Sequence, residues 1–238
     1  MTIRGWWPRR TENRLTKLSS EALFFDLDGT LTDPKVGITR CLQYALERLG
    51  EPVPRMSELL WCIGPPLYDS FEQLIGPERA QRGVDLYRER FAEVGLFENE
   101  PYPRIHDTLA VLRQQGHALY VASSKPRVFV QQIVQKFELS PFFEHCYGSE
   151  LDGTRTDKSE LLGFALADSG VNARCTTMIG DRSHDAIGAQ NNGLKFIGVL
   201  YGYGSATEFK TAGANVWVET HEQLVSTLGH QTLDESVN

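Results

Sequence analysis

The chain lacks what several large classes of function require. No apolar run approaches the length of a membrane span, and no hydrophobic stretch of a secretory leader follows the start, so a soluble, cytoplasmic protein is expected. Positive charge is in short supply: 24 Lys and Arg against 31 Asp and Glu leave a net charge of −7. That balance argues against a nucleic-acid surface and requires any anion site to be made positive locally. Cysteine is scarce, and Cys41, Cys62, Cys146 and Cys175 show no metal-type spacing; they read as buried thiols of a reducing compartment. The six histidines do not cluster with acids at ligand spacing. There is no G-x-x-x-x-G-K-[ST] phosphate loop, no G-x-S-x-G elbow, no Cys followed by Arg at a six-residue step and no internal repeat.

What is present suffices for a core. The 238 residues, 41% of them hydrophobic, suit one large domain or a domain carrying an insert. Residues 1–20 stand apart: Arg4, Arg9, Arg10, Arg14 and Lys17 face only Glu12, and Trp6 and Trp7 are adjacent. An unstructured basic extension is expected there, and no function is assigned to it.

The stretch D-L-D-G-T-L-T-D at 26–33 directly follows the apolar run Ala22-Leu23-Phe24-Phe25. Side chains at i and i+2 of a strand share a face, so Asp26 and Asp28 can meet at one site beyond a strand tip, where open parallel sheets bind ligands. Gly29 allows a sharp turn behind them. Two acids so close ask for a divalent cation, a proton-transfer role or both, while a polar turn is the plain alternative.

Helical periodicity follows. Ile38, Leu42, Ala45, Leu46 and Leu49 repeat at helical spacing up to Gly50, shorter pieces lie near 56–63 and 67–75, and Val84, Tyr87, Phe91 and Val94 form a longer stripe. Residues 34–100, bounded by Pro34 and by Pro101 and Pro103, show no strand pattern and read as a small helical insert. Beyond them strand and helix alternate, with strands at 118–123, 143–148, 176–180, 195–200 and 216–218. Helices are predicted near 105–116, 127–137, 158–168, 183–192 and 221–229. The expected architecture is therefore α/β: a Rossmann-like parallel sheet core over 21–33 and 101–230, a helical insert, and a polar tail at 231–238.

D-L-D-G-T-L-T resembles the signature of the haloacid dehalogenase-like phosphohydrolases. The resemblance extends to a Ser ending a second strand, Ser123; to a later lysine, Lys158; and to Gly180-Asp181 with Asp185. It implies that Asp26 attacks phosphorus, that Asp28 serves as acid and base, and that the insert is a cap over the site. It also implies Mg2+ held by Asp26, by the Asp28 backbone carbonyl and by Asp181, with Asp185 orienting the shell. An oxygen-only set of this kind suits magnesium. Ser123, Ser124 and the amides after them are expected to cradle phosphate, because Pro126 at a first helical position would make Lys125 the cap. Lys125 itself reads equally as a substrate contact or as a surface lysine. Lys158 follows Asp157, which with Glu160 makes a capping box. A cation is thus set in a first helical turn against the helix dipole, which invites a functional reason.

Asp28 excludes dehalogenase chemistry within that family, leaving a phosphatase or a phosphomutase. G-P-P-L at 64–67, Y-R-E-R-F at 87–91, Y-G-S-E-L-D-G-T-R-T at 147–156 and G-D-R-S-H-D at 180–185 resemble a bacterial 5'-nucleotidase branch close to phosphoglycolate phosphatases. Arg155, at the seam of core and cap, joins the candidate substrate contacts, with a solvated surface Arg as the alternative. The implied partner is a small phosphorylated metabolite, a nucleotide first, with phosphoglycolate next; the protein is expected as a monomer or homodimer. A binding protein without activity is the reading against which the acid, Ser and Lys set speaks.

Overall fold

The computed structural model describes residues 21–234, so the basic extension at 1–20 and the last four residues lie outside the described residues. Six parallel strands form one sheet in the order β5-β4-β1-β6-β7-β8. They are β1 (Ala22–Phe25), β4 (Ala118–Pro126), β5 (His145–Ser149), β6 (Thr176–Gly180), β7 (Lys195–Val199) and β8 (Trp217–Val218). The chain enters at β1 in the middle, builds β4 and β5 on one side, and then crosses over to β6 on the other. Strand order therefore reverses at β1, and a crevice opens at its C-terminal end, where sheets of this kind take ligands.

Alternation along the strands makes two cores. Leu23, Phe25, Leu119, Val121, Cys146, Ile179 and Ile197 belong to one buried cluster. Ala22, Phe24, Ala118, Tyr120, Tyr147 and Met178 belong to the other. Both faces are buried because helices cover both, as βαβ crossovers require. These helices are α4 (Ile105–Gln114), α5 (Arg127–Lys136), α6 (Lys158–Ser169), α7 (Ser183–Asn191), α8 (Ala206–Thr211) and α9 (His221–Asp234). The last continues through part of the stretch expected as a polar tail.

Between β1 and α4 the chain leaves the sheet and returns. It leaves through β2 (Thr32–Asp33) and returns through β3 (Glu100–Pro101), and these pair antiparallel, Thr32 with Pro101 and Asp33 with Glu100. The excursion holds α1 (Lys35–Arg48), α2 (Leu67–Ile75) and α3 (Pro77–Glu93). Its helices pack closely because small residues face large ones: a Cβ at Gly83 would lie 2.5 Å from the Phe71 ring, and one at Gly95 would lie 2.4 Å from Cys41 Sγ. Its core is continuous with that of the sheet, since Phe91 of α3 meets Phe129 of α5 edge-on at 5.2 Å.

Several details differ from expectation. The β2–β3 ladder appears where no strand was predicted. Helix α8 is also unpredicted, although its Ser205 cap, which accepts from Glu208 N at 3.1 Å, leaves a Ser-x-x-Glu signature. Helix α5 begins at Arg127, with Pro126 in extended backbone as its N-cap, so the cap is one residue later than Lys125. Three cysteines are buried as expected, but Cys175 is exposed in a short 3-10 turn before β6. Burial pushes the Cys62 and Cys146 thiols up to about 12, so they stay protonated near neutrality.

Candidate active site

Asp26 is the first residue past β1, and its N–H donates to Ile179 O at 2.9 Å, holding it between β4 and β6. The turn after it closes on itself, with Leu31 and Thr32 N–H both donating to Leu27 O. Asp28 sits in that turn rather than on the strand, bridging to Thr32. At Gly29 the backbone has φ +88°, and a Cβ would fall 2.1 Å from Asp181 Oδ2, so only glycine fits. Asp181 follows β6, and Asp185 lies in the first turn of α7, where it accepts from Arg182 N. A Cβ at Gly180 would stand 2.2 Å from the Asp185 carboxylate, so the main chain packs directly on the acid.

Carboxylate oxygens of Asp26, Asp181 and Asp185 come within 4.8 Å of one another, and all three residues are buried. Lys158, at the start of α6, is the cation among them. Its Nζ donates to Asp26 Oδ1 at 2.9 Å and to Ala122 O at 2.9 Å, and pairs with Asp185 Oδ1 at 2.8 Å. Asp157 Oδ1 caps the helix by accepting from Ser159 N and Glu160 N. That fixes the turn on which the lysine sits. Burial alone would discharge Lys158, yet the Asp185 and Asp26 carboxylates more than offset it and hold the ammonium charged.

One lysine does not balance three acids. Burial, with Asp185 and Asp26 beside it, pushes the Asp181 carboxyl well above the usual range, and burial likewise raises Asp185 against the pull of Lys158. Asp181 Oδ1 is buried with no hydrogen-bond partner. An orphaned acceptor in a cluster of three oxygen donors fits a hard divalent cation such as magnesium.

Asp28 has a different environment. Burial raises its carboxyl, Lys125 opposes the shift by bonding to Oδ2, and Oδ1 is buried without a partner. Lys125 is thus no surface lysine; its side chain is 7% exposed, and its Nζ also stands 4.9 Å over the Phe91 ring. Ser123, 2% exposed, ends the regular part of β4, where the register against β5 then shifts. Ser124 and Lys125 follow it into the same cavity.

That cavity, of about 730 Å³, holds Asp26, Asp28, Ser123, Ser124, Lys125, Lys158 and Asp185 on its sheet side. Tyr68, Tyr87 and Phe91 line it from the helical segment. Two arginines, neither singled out from sequence, join its walls. Arg182, beside Asp181, donates to Ile63 O and to Glu208 at 3.0 Å, while Arg88 of α3 donates to Leu151 O at 2.7 Å. Gly64 belongs to this seam, with φ +106° and its Cβ position 2.6 Å from the Arg182 stem. Gly64→Ala is accordingly expected to cost about 1–3 kcal/mol of stability, read as a lower urea midpoint. His184 also lines the cavity, and burial with Arg182 nearby lowers it, favouring the neutral ring. Arg155 does not line it. Its backbone is left-handed at φ 61°, and its guanidinium pairs with Glu150 and lies 4.3 Å over the Phe164 ring.

Among the described residues no helix is long and apolar enough to cross a membrane. The family model described as haloacid dehalogenase-like hydrolase matches residues 23–199. A 5'-nucleotidase of Pseudomonas aeruginosa is 50% identical over 190 residues, which is 79% of this chain and 86% of that protein. Tyrosine-protein kinase PtkA of Mycobacterium tuberculosis is 35% identical over 188 residues, 79% of this chain and 65% of the relative. The crystal structure of a predicted phosphatase from Clostridium acetobutylicum superposes with a TM-score of 0.86 at 39% identity, covering 90% of this chain and all of that one. Because the matched segment runs from β1 through β7 and takes in every acid of the buried cluster together with Ser123 and Lys158, the chain belongs to the haloacid dehalogenase-like hydrolases.

Proposed function

We propose that this hydrolase is a magnesium-dependent phosphomonoesterase that acts on nucleoside 5'-monophosphates through a phosphoryl group carried on Asp26. The observation that carries the reading is the Asp26 carboxylate, held by Lys158 at the sheet's switch point and facing a cavity with Asp28. Asp26 attacks phosphorus, and the oxygen that leaves takes a proton from Asp28, whose burial favours the protonated form. Asp28 then accepts a proton from the water that cleaves the acyl phosphate. Dividing the reaction this way matters because an uncatalysed monoester leaves a deficit on the order of 20 kcal/mol. Lys158 neutralises the nucleophile and the bound phosphate, while Ser123 and the amides of Ser124 and Lys125 supply donors. A magnesium ion held by Asp26, Asp181, Asp185 and the Asp28 main-chain carbonyl supplies further positive charge for the phosphate. Residues 34–100 act as the cap.

The nucleoside assignment rests on two supports. A cavity of about 730 Å³, with Tyr68, Tyr87 and Phe91 in its wall, suits a leaving group that carries an aromatic base better than a two-carbon acid. The half-identical relative is named for 5'-nucleotidase activity. The likeness to a tyrosine kinase keeps transfer to an acceptor other than water as the second reading. Phosphate release from a panel of nucleoside monophosphates, phosphoglycolate, sugar phosphates and an aryl phosphate, with magnesium and with excess chelator, tests the substrate assignment and the metal. Nucleotides are expected to lead the panel and chelator to abolish release. Nucleotide turnover no better than that of the aryl phosphate overturns the substrate assignment, and full activity in chelator overturns the metal.

A further inference from the structure

The loop after β7 reads Tyr201-Gly202-Tyr203-Gly204, and it touches both the acid cluster and the point where the chain leaves the sheet. Tyr203 N–H donates to Asp181 Oδ2 at 2.7 Å, leaving Oδ1 as the buried oxygen with no partner. The phenol of the same residue donates to Asp33 Oδ1 in β2. That carboxylate oxygen also accepts from Lys35 N at 2.9 Å, at the start of α1. The glycines on either side are pressed against the site. A Cβ at Gly202 would lie 2.3 Å from Gly29 O and 2.4 Å from Asp181 Cβ, and one at Gly204 would lie 1.8 Å from Asp181 O.

These contacts have a mechanical meaning. Glycine admits close approach but does little to restrain the backbone, so a peptide between two glycines is free to turn unless its side chain is anchored. Here the anchor is the phenol on Asp33. We propose that Tyr203 is a positioning residue: its phenol, fixed on Asp33, holds the 203 amide against Asp181 Oδ2, so that Oδ1 is presented to the divalent cation. Cation affinity is thereby tied to the place of β2, the first crossing into the helical segment. This inference rests on Asp181 being a ligand of that cation.

Magnesium titration by calorimetry, without substrate, tests it in the full chain. Tyr203→Phe removes only the hydroxyl and is expected to weaken magnesium binding about fivefold, the scale of one lost hydrogen bond. KM for substrate at saturating magnesium should change by less than about twofold, since the ring remains and is not part of the cavity lining. Asp33→Asn keeps an acceptor and is expected to bind magnesium as the unaltered chain does. Asp33→Ala removes the same bond from the other side, should reproduce the loss, and serves if Tyr203→Phe folds poorly. Equal magnesium affinity in the unaltered chain and in either bond-deleting variant overturns the inference while leaving the metal reading intact. An unaltered chain that binds no magnesium overturns both.

Discussion

Asp26→Asn is expected to abolish turnover with every phosphomonoester, by a factor on the order of 10^5, because an amide cannot become the phosphoryl carrier. The fold should survive, since Lys158 keeps Asp185 and Ala122 O as partners and an amide oxygen can still accept its third bond. Asp28→Asn should fail at a different step. In the proposed reaction its carboxyl protonates a poor leaving group and activates water, but an aryl phosphate departs with little protonation. Rapid mixing of Asp28→Asn with an aryl phosphate should therefore give a burst of about one alcohol equivalent per enzyme, followed by slow phosphate release. With a nucleotide the burst itself should be slow. No burst, with equal losses for both substrates, would remove Asp28 from acid-base chemistry and leave it a structural member of the turn.

Lys158→Met should affect stability and turnover together. Among the described residues its ammonium is the only cation paired with both Asp26 and Asp185, and the side chain is 5% exposed. Methionine fills much the same volume but leaves three clustered carboxylates uncompensated. Breaking a buried ion pair from one side costs about 3–5 kcal/mol, and proton uptake by Asp181 and Asp185 relieves part of it. Urea unfolding in chelator should show that deficit, and magnesium should recover much of it by binding the acids only in the folded state. Turnover should still fall by a factor on the order of 10^3 with magnesium saturating, because the ion does not replace the charge beside Asp26. A urea midpoint in chelator equal to that of the unaltered chain would mean the acids are already neutral and the lysine is not their counter-ion.

The strands and the core motifs are legible in the sequence because each rests on a local signal. Ala22-Leu23-Phe24-Phe25 is a continuous apolar run because both faces of β1 are covered, and Asp157 marks the start of α6 because its cap is made within three residues. The features that escape prediction are made between distant segments. Two-residue strands such as β2 and β3 have no periodicity to read and exist only because the chain returns beside its own exit. Arg182 and Arg88 look like surface cations until the fold places Ile63 O and Leu151 O opposite them. Arg155 reads as a substrate contact in sequence, but its guanidinium turns to Glu150 and the Phe164 ring and is absent from the cavity lining. Lys125 is ambiguous in sequence because its partner, Asp28, stands almost a hundred residues earlier.

Strand order also dictates when the strand that leads to Asp26 can be completed during synthesis. Phe25 lies opposite Val121 on one side and Ile179 on the other, partners that follow it by roughly 100 and 150 residues. The ribosome delivers β1 first, yet its ladders have nothing to pair with until β4 and then β6 have emerged. Until then a wholly apolar tetrapeptide with unpaired backbone must be kept from wrong partners. The helical segment, whose contacts are nearer in sequence, can form in that interval. The first strand of the sheet is thus closed only when β6 arrives, and Asp26 reaches its place only once the chain has been made through Ile179.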